Sequence, residues 1–169
     1  VKLDGKELIG SKRKDFRSVR GKSLAMVFQD PLSALNPVHR VGDQIVEMIQ
    51  SHQDMNTHDA EKRAVELLEI VGIPQPGERA RQYPHEFSGG MRQRVVIAMA
   101  IANNPKVLIA DEPTTALDVT VQAQILEVIQ RVQQKFGTAV VLITHDLGVI
   151  ARVADSVNVM YAGRNVESG

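Results

Sequence analysis

The sequence predicts an α/β fold built around a mainly parallel sheet. Two short apolar runs, 107–110 and 139–144, lead directly into polar residues, a pattern typical of strands that are buried on both faces. Segments with apolar residues at helical spacing lie around and between them. The 169 residues, 43% hydrophobic and 24% charged, have the composition of an ordinary globular domain.

Charge and composition exclude several kinds of protein. The formal net charge is +0, so the overall charge does not attract the chain to nucleic acid or to an anionic membrane surface. No apolar run approaches the roughly 18 residues of a membrane span, and no signal peptide is visible. Because the sequence has 0 cysteines, disulfides and cysteine-ligated metal centres are excluded, which fits a reducing compartment.

The N-terminal region is predicted to form β structure. Residues 1–8 alternate around an Asp-Gly turn and predict a β hairpin. A basic segment, 12–22, follows, and we expect its charges to face water. Residues 24–28 are predicted as a strand that leads to Gln29.

Residues 37–84 are predicted to be largely helical. One helix covers about 41–50, with its apolar residues on one side. The next begins at Asn56-Thr57, which can supply an N-cap, and Gly72 stops it. The apolar stripes of both helices are most simply explained as core.

Ser88, Gly89 and Gly90 open a long apolar helix and form a candidate phosphate site. The first backbone N–H groups of a helix are unpaired, and the helix dipole adds partial positive charge there. Glycines let a ligand approach the backbone closely. Taken alone, the same pattern also describes an ordinary N-cap and tight turn, so it leaves both interpretations open.

Asp111 and Glu112 follow the strand 107–110, at the edge of the sheet where ligands bind in open α/β folds. Side chains alternate along a strand, so one carboxylate can hold Mg²⁺ while the other orients or deprotonates a water. His145 ends the next strand and shares this edge, where imidazole can contact a phosphate oxygen or a catalytic water. An isolated Asp-Glu pair would instead be read as a strand end that turns into solvent.

The remaining elements follow from caps and breakers. Asp118 is predicted to cap a helix that Gly137 ends. Residues 157–161 are predicted as a further strand, and Gly163 as a turn.

The order of these motifs resembles the nucleotide-binding subunit of an ABC transporter. Gln29 corresponds to the family's Q-loop and His145 to its H-loop. The other three correspondences are the signature motif at Phe87-Ser88-Gly89-Gly90, the Walker B strand at 107–112 and the D-loop at Ala116-Leu117-Asp118. The resemblance covers the chain from Val1 to Gly169. It implies part of a P-loop NTPase (RecA-like) core with a mainly parallel sheet, an N-terminal antiparallel β hairpin and an α-helical subdomain.

The resemblance also divides the chain. Residues 1–36 would be the hairpin and Q-loop part of the ATPase core, and residues 37–86 the α-helical subdomain that faces the transmembrane subunits. Residues 87–169 would be the part of the core with the signature helix, Walker B strand, D-loop and H-loop.

Two stretches resemble the oligopeptide, dipeptide and nickel importer ATPases within that family, namely 28–37 (FQDPLSALNP) and 83–94 (YPHEFSGGMRQR). Met91, where many ABC proteins have glutamine, is common in this subfamily. The resemblance implies an ATP-binding and ATP-hydrolysing subunit for peptide uptake, with nickel import as the alternative. Its implied partners are a second, identical or related ATP-binding subunit, transmembrane permease subunits and, indirectly, a substrate-binding protein, but no nucleic acid. The implied location is the cytoplasmic face of the membrane, as a peripheral protein.

Roles for single residues are implied in the same way, with ATP and Mg²⁺ as cofactors. Asp111 would hold Mg²⁺ mostly through water, and Gln29 would sense the metal and the water. Glu112 would orient or deprotonate the attacking water, and His145 would contact the γ-phosphate. Four residues would bind the ATP held by the second subunit, across the dimer interface: Ser88, Gly89, Gly90 and Asp118.

One family motif is missing. Family members carry a Gly-x-x-x-x-Gly-Lys-Ser/Thr phosphate loop, and an aromatic residue that stacks on adenine, upstream of the Q-loop. Gly21-Lys22-Ser23 does not qualify, because Phe16 occupies the first glycine position and the segment precedes a strand instead of following one. We predict a turn there. We therefore expect the chain alone to be catalytically inactive, and to self-associate or be marginally stable because apolar sheet surface is left uncovered.

Two other functional classes are possible for this sequence. ATPases of chromosome structure and DNA repair share the signature but insert a very long coiled coil before it, whereas Gln29 and Ser88 are only 59 positions apart (88 minus 29). The second class is a truncated, non-enzymatic module that offers its signature and helical surfaces to a partner.

Overall fold

The computed structural model describes residues 2–3, 5–8, 10, 19–115 and 117–169. Lys2–Leu3 (β1) and Lys6–Glu7 (β2) pair as an antiparallel hairpin, which confirms the prediction. Asp4 of the predicted turn and residues 12–18 of the basic segment lie outside the described residues. Described members of that segment, Arg20 and Lys22, are exposed.

The central sheet of the described residues has three parallel strands in the order β3-β4-β5. They are Leu24–Val27 (β3), Val107–Asp111 (β4) and Ala139–Ile143 (β5). The strands pair residue by residue without a register shift, so the carboxyl ends of all three strands lie at one edge of the sheet. The three predicted strands and their parallel pairing are confirmed. The segment Gly21-Lys22-Ser23 is a turn, as predicted.

Two helices follow the predicted pattern in the middle of the chain, Val41–Gln50 (α1) and Thr57–Ile70 (α2). Asn56 caps α2 by accepting from Asp59 N at 3.0 Å. Gly72, at φ 75°, follows the end of α2 in the left-handed conformation that glycine adopts easily. A short helix, Pro76–Arg79 (α3), and 3₁₀ turns at Pro31–Ser33 and Pro84–Glu86 were not predicted.

The C-terminal half alternates helices with strands. Gly89–Ile101 (α4) precedes β4, and Val119–Phe136 (α5) connects β4 to β5. Leu147–Val153 (α6) then leads to an antiparallel hairpin of Asn158–Tyr161 (β6) and Arg164–Ser168 (β7). The helix from Asp118 to Gly137 and the strand near 157–161 were predicted, whereas α6 and β7 were not. None of the helices in the described ranges is long and apolar enough to cross a bilayer.

The core lies between the helices and one face of the central sheet. Val27 and Leu108 of that face are fully buried, and α4 is buried on several sides. The opposite face is open, because Met26, Val141 and Ile143 are 37%, 49% and 46% exposed. The open face agrees with the expected uncovered apolar surface, and its effect on stability stays a prediction.

Candidate functional site

Glu112 directly follows the last residue of strand β4. Its N–H donates to Ile143 O at 2.9 Å, which continues the pairing with β5 by one residue. Its φ is 45°, in the left-handed region that a non-glycine residue rarely adopts. Thr115 N then donates to Glu112 O at 3.1 Å and closes a turn. The chain therefore leaves the sheet sharply, and Glu112 stands at the strand end.

The carboxylate of Glu112 joins the ends of all three parallel strands. Oε2 accepts hydrogen bonds from Gln29 Nε2, beyond β3, at 3.1 Å and from Thr115 Oγ1 at 2.8 Å. Oε1 lies 3.2 Å from Nδ1 of His145, beyond β5. We call these four residues the carboxylate cluster. His145 was predicted to share this edge with Glu112, and the pairing of the strands also brings Gln29 to it.

The electrostatics of the cluster favour an ionised Glu112. The hydrogen bond from Thr115, and then that from His145, lower the pKa of Glu112 from its ordinary value. Its side chain is 29% exposed, whereas that of His145 is 77% exposed. The cluster therefore presents a charged hydrogen-bond acceptor that solvent can reach.

Asp111 is half-buried, and within the described ranges its carboxylate accepts no hydrogen bond. Gln29 donates to Glu112 through Nε2, so its Oε1 can serve as a ligand. These are oxygen donors, which hard cations such as Mg²⁺ prefer, and so they fit that ion. The described residues contain no group of three or more His, Cys, Asp or Glu side chains placed to hold a metal, so other ligands would have to come from phosphate oxygens and water.

The N-terminus of α4 carries unpaired donors. Ser88 is the N-cap, and its Oγ accepts from Met91 N at 3.3 Å. The N–H groups of Gly89 and Gly90 donate to no other described residue. Ser88 and Gly89 are exposed and Gly90 is half-buried, so the positive end of the helix dipole lies at the surface.

The starts of α4 and α5 pack against each other. A Cβ added to Gly90 would collide with Val121 Cγ1, and one added to Gly89 would lie 3.7 Å from Leu117. Asp118 caps α5 through Oδ1, which accepts from two backbone N–H groups at 3.1 and 3.0 Å. Asp118 is exposed and its Oδ2 is not used by the cap, so one carboxylate oxygen can reach a second molecule.

The predicted site residues thus fall into two groups. The first is the carboxylate cluster beside Asp111, and the second is the signature group of Ser88, Gly89, Gly90 and Asp118. No hydrogen bond or ion pair between described residues joins the two groups. Ala116 of the predicted D-loop lies outside the described residues. Thr115 was missed, although a hydroxyl three residues after a carboxylate at a strand end could have been recognised as its donor.

Comparison with known proteins gives a consistent set of relatives. A family described as ABC transporter matches residues 1–115. The chain is 60% identical to the oligopeptide transport ATP-binding protein OppD of Bacillus subtilis, covering 100% of this chain and 47% of that protein. It is 57% identical to the dipeptide transport ATP-binding protein DppD of the same organism, covering 100% and 50%. The chain therefore spans about half the length of the curated relatives it matches.

Solved structures share the fold. A dimeric ATP-binding cassette in a post-hydrolysis state, bound to ADP and Pi, matches with a TM-score of 0.85 at 27% identity, over 99% of this chain and 71% of that one. A component of the cbiONQ transporter complex of Clostridium perfringens matches with a TM-score of 0.84 at 29% identity, over 99% and 64%. The predicted fold class is confirmed.

Proposed function

This chain belongs to the ABC transporter family, and on that premise we propose that it is an ATP-binding and ATP-hydrolysing segment of a peptide importer. The observation that carries the proposal is the carboxylate cluster, in which one ionised glutamate is held by residues from three strand ends. Peptide is the proposed cargo because relatives with 60% and 57% identity are named for oligopeptide and dipeptide transport.

In this proposal, MgATP would bind at the edge of the sheet where β3, β4 and β5 end. Asp111 and the amide oxygen of Gln29 would hold the Mg²⁺, which supplies positive charge against the phosphate oxygens. Positioning and charge stabilisation supply most of the catalysis in phosphoryl transfer, so the arrangement of the surrounding side chains matters.

Glu112 is the proposed base or orienting group for the attacking water. Its lowered pKa keeps it ionised, so it can accept a hydrogen bond from water or take its proton. Thr115 and Gln29 both donate to Oε2 and hold the carboxylate in place. Among the described residues, the hydrogen-bond partner of Oε1 is His145 Nδ1, at 3.2 Å.

His145 is proposed to contact the γ-phosphate through Nε2. An ionised carboxylate can only accept, so Nδ1 of His145 must donate to Glu112 Oε1. Donation from Nε2 to a phosphate oxygen at the same time requires the imidazolium form, with both nitrogens protonated.

The signature group is proposed to bind ATP held by a second ATP-binding subunit. Two unpaired N–H groups and the positive end of α4, a helix of 13 residues, suit a phosphate. Asp118 would contribute its unused oxygen to the same interface. The other proposed partners are permease subunits and, through them, a substrate-binding protein, which would place the protein peripherally at the cytoplasmic face of the membrane.

The division of labour within the chain is part of the proposal. Residues 1–36 and 87–169 would form the ATPase core, because the carboxylate cluster draws on both. Residues 37–86 would form the α-helical subdomain that meets the permease.

We also propose that residues 1–169 on their own hydrolyse no ATP, because they contain no phosphate loop. Charge-assisted hydrogen bonds to phosphate contribute about 1.5–3 kcal/mol each. Losing three of them at the low end amounts to roughly 4.5 kcal/mol, so ATP affinity should fall by more than about a thousandfold.

The proposal can be tested with a chimeric protein in which the upstream part of the Bacillus subtilis OppD relative is fused to Val1. We call this protein the completed cassette. We expect steady ATP hydrolysis that Glu112→Gln abolishes and that the 169-residue chain alone does not show. Glu69→Gln, the same change at an exposed position on α2, is the control and should leave hydrolysis unchanged. A folded completed cassette without turnover would refute the ATPase proposal, and turnover by the chain alone would refute its inactivity.

A further inference from the structure

Gln122 connects the loop after Glu112 to the loop that carries His145. It lies in the first turn of α5, and its Nε2 donates to Thr114 Oγ1 and to Asp146 Oδ2, both at 3.3 Å. Thr114 follows Glu112 by two residues and is buried, and Asp146 directly follows His145. We propose that Gln122 is a positioning residue that sets the relation between Glu112 and His145. This inference rests on the proposed ATPase function.

The Asp146 carboxylate that Gln122 binds also caps α6, and the Asp146 backbone N–H donates a hydrogen bond nearby. Asp146 Oδ1 caps α6 by accepting from Gly148 N at 2.8 Å and Val149 N at 3.3 Å. Its backbone N–H donates to Thr144 Oγ1 at 3.1 Å. Gln122 binds the remaining oxygen, Oδ2, and therefore ties the whole turn around His145 to α5.

His145 depends on the hydrogen bonds of its neighbours for its position, because its own side chain is exposed. Its side chain is 77% exposed, and its one hydrogen bond among the described residues is the 3.2 Å contact with Glu112. Packing does not hold the ring, so its position depends on the backbone on either side of it. Thr144 and Asp146 are the flanking residues, and the second of them is the one that Gln122 binds.

A glutamine has the chemistry that the bridge requires. A primary amide nitrogen carries two protons, and here one goes to each loop. Leucine offers no donor, and a glutamate would place a second carboxylate against Asp146. Small displacements of catalytic groups cost rate steeply, so losing the bridge should lower kcat.

The test uses the completed cassette. Gln122→Leu should lower kcat for ATP hydrolysis by about tenfold and change KM for ATP by less than about twofold, because Gln122 bonds to neither Asp111 nor the signature group. Gln134→Leu is the matched control, since it makes the same change at an exposed position of the same helix. It should leave both constants unchanged.

A double variant that exchanges the amide and the carboxylate between positions 122 and 146 distinguishes a positioning role of Gln122 from a role in stability alone. Gln122→Glu alone should lower kcat through repulsion with Asp146. Combining it with Asp146→Asn should restore most of the rate, because the new amide and the Thr114 hydroxyl can both donate to the new carboxylate. The Asn side chain still offers an oxygen to cap α6. A folded double variant with no recovery of kcat would overturn the proposal.

Failure of the bridge can be told apart from failure of the ATPase proposal. If the unsubstituted completed cassette hydrolyses no ATP, the proposed function fails, and NMR of the nucleotide-free protein then decides the inference. Gln122→Leu should shift the ring ¹⁵N resonances of His145, whereas Gln134→Leu should not. Unchanged resonances in Gln122→Leu, or an unchanged kcat where hydrolysis is measured, would overturn it.

Discussion

Arg94 binds the backbone just beyond the C-terminal end of α2, at Gly72, which lies 22 residues before it in the sequence. Its Nη1 donates to Gly72 O at 2.8 Å, and its Nη2 donates to Gln124 Oε1 at 2.8 Å. Arg131 of α5 donates to Ile70 O at 3.2 Å, at the same helix end. Arg131 therefore satisfies the last carbonyl group of α2, and Arg94 binds a carbonyl just beyond it, where the helix dipole is negative. They connect the predicted helical subdomain with the predicted core.

Replacing Arg94 should destabilise this connection. Burial, and then the charge of Arg131, lower the pKa of Arg94. These two effects disfavour the charged form, whereas the hydrogen bonds from Arg94 to carbonyl groups favour it. Arg94→Met keeps much of the apolar stem but leaves the Gly72 carbonyl without this donor. We expect the free energy of unfolding of the completed cassette to fall by about 1–3 kcal/mol in urea titrations.

Arg81→Met is the control for that change, because Arg81 is exposed and its side chain makes no hydrogen bond with any described residue. It should alter the free energy of unfolding by less than about 0.5 kcal/mol. Equal effects of Arg81→Met and Arg94→Met would contradict the assigned role.

Gly72→Ala should also be harmful, for two reasons. The φ of Gly72 is 75°, and an added Cβ would lie 2.8 Å from Arg94 Nη1. We expect a loss of about 1–2 kcal/mol in the free energy of unfolding, measured in urea. Gly77→Ala is the counterpart, since Gly77 lies in α3 with open space around it, and it should be neutral or slightly stabilising. A larger loss at Gly77 would contradict this explanation.

Local patterns predicted the elements whose causes are local. Helix α1 was predicted with its observed bounds, and Asn56 and Asp118 cap their helices as expected, because caps and apolar spacing act within one or two turns. His145 was predicted to share a sheet edge with Glu112 because the carboxyl ends of parallel strands lie together. The place of Gln29 beside the same site was implied by the family resemblance and not by strand geometry.

Contacts that depend on side-chain position in three dimensions were not predicted. The Gln122 bridge spans 24 residues to Asp146, and no spacing rule links the two. The bond from Arg94 to Gly72 spans 22 residues and depends on how α4 packs against α2. Gln75 precedes α3 in the left-handed conformation, with φ 50°. Glutamine rarely adopts that conformation, so the sequence did not predict it.

Thr115 should matter for turnover more than for binding of ATP. Its hydroxyl donates to Glu112 Oε2 at 2.8 Å, and this bond is the largest cause of the lowered pKa of that carboxylate. In the completed cassette, Thr115→Val should lower kcat by roughly threefold to tenfold with little change in KM. Thr115→Ser keeps the hydroxyl and should retain most of the rate. Equal losses in the Val and Ser variants would show that the hydroxyl is not the important group.

The two glycines of the signature group should respond differently to alanine. A Cβ at Gly90 would collide with Val121 Cγ1, whereas one at Gly89 would meet Leu117 at 3.7 Å, an ordinary contact. Gly90→Ala should therefore lower the midpoint of thermal unfolding of the completed cassette, and Gly89→Ala should leave it nearly unchanged. Adding Val121→Ala to Gly90→Ala removes the colliding methyl groups and should recover most of the loss. If the double variant unfolds at a lower temperature than Gly90→Ala alone, the close packing of α4 on α5 is not what requires a glycine at this position.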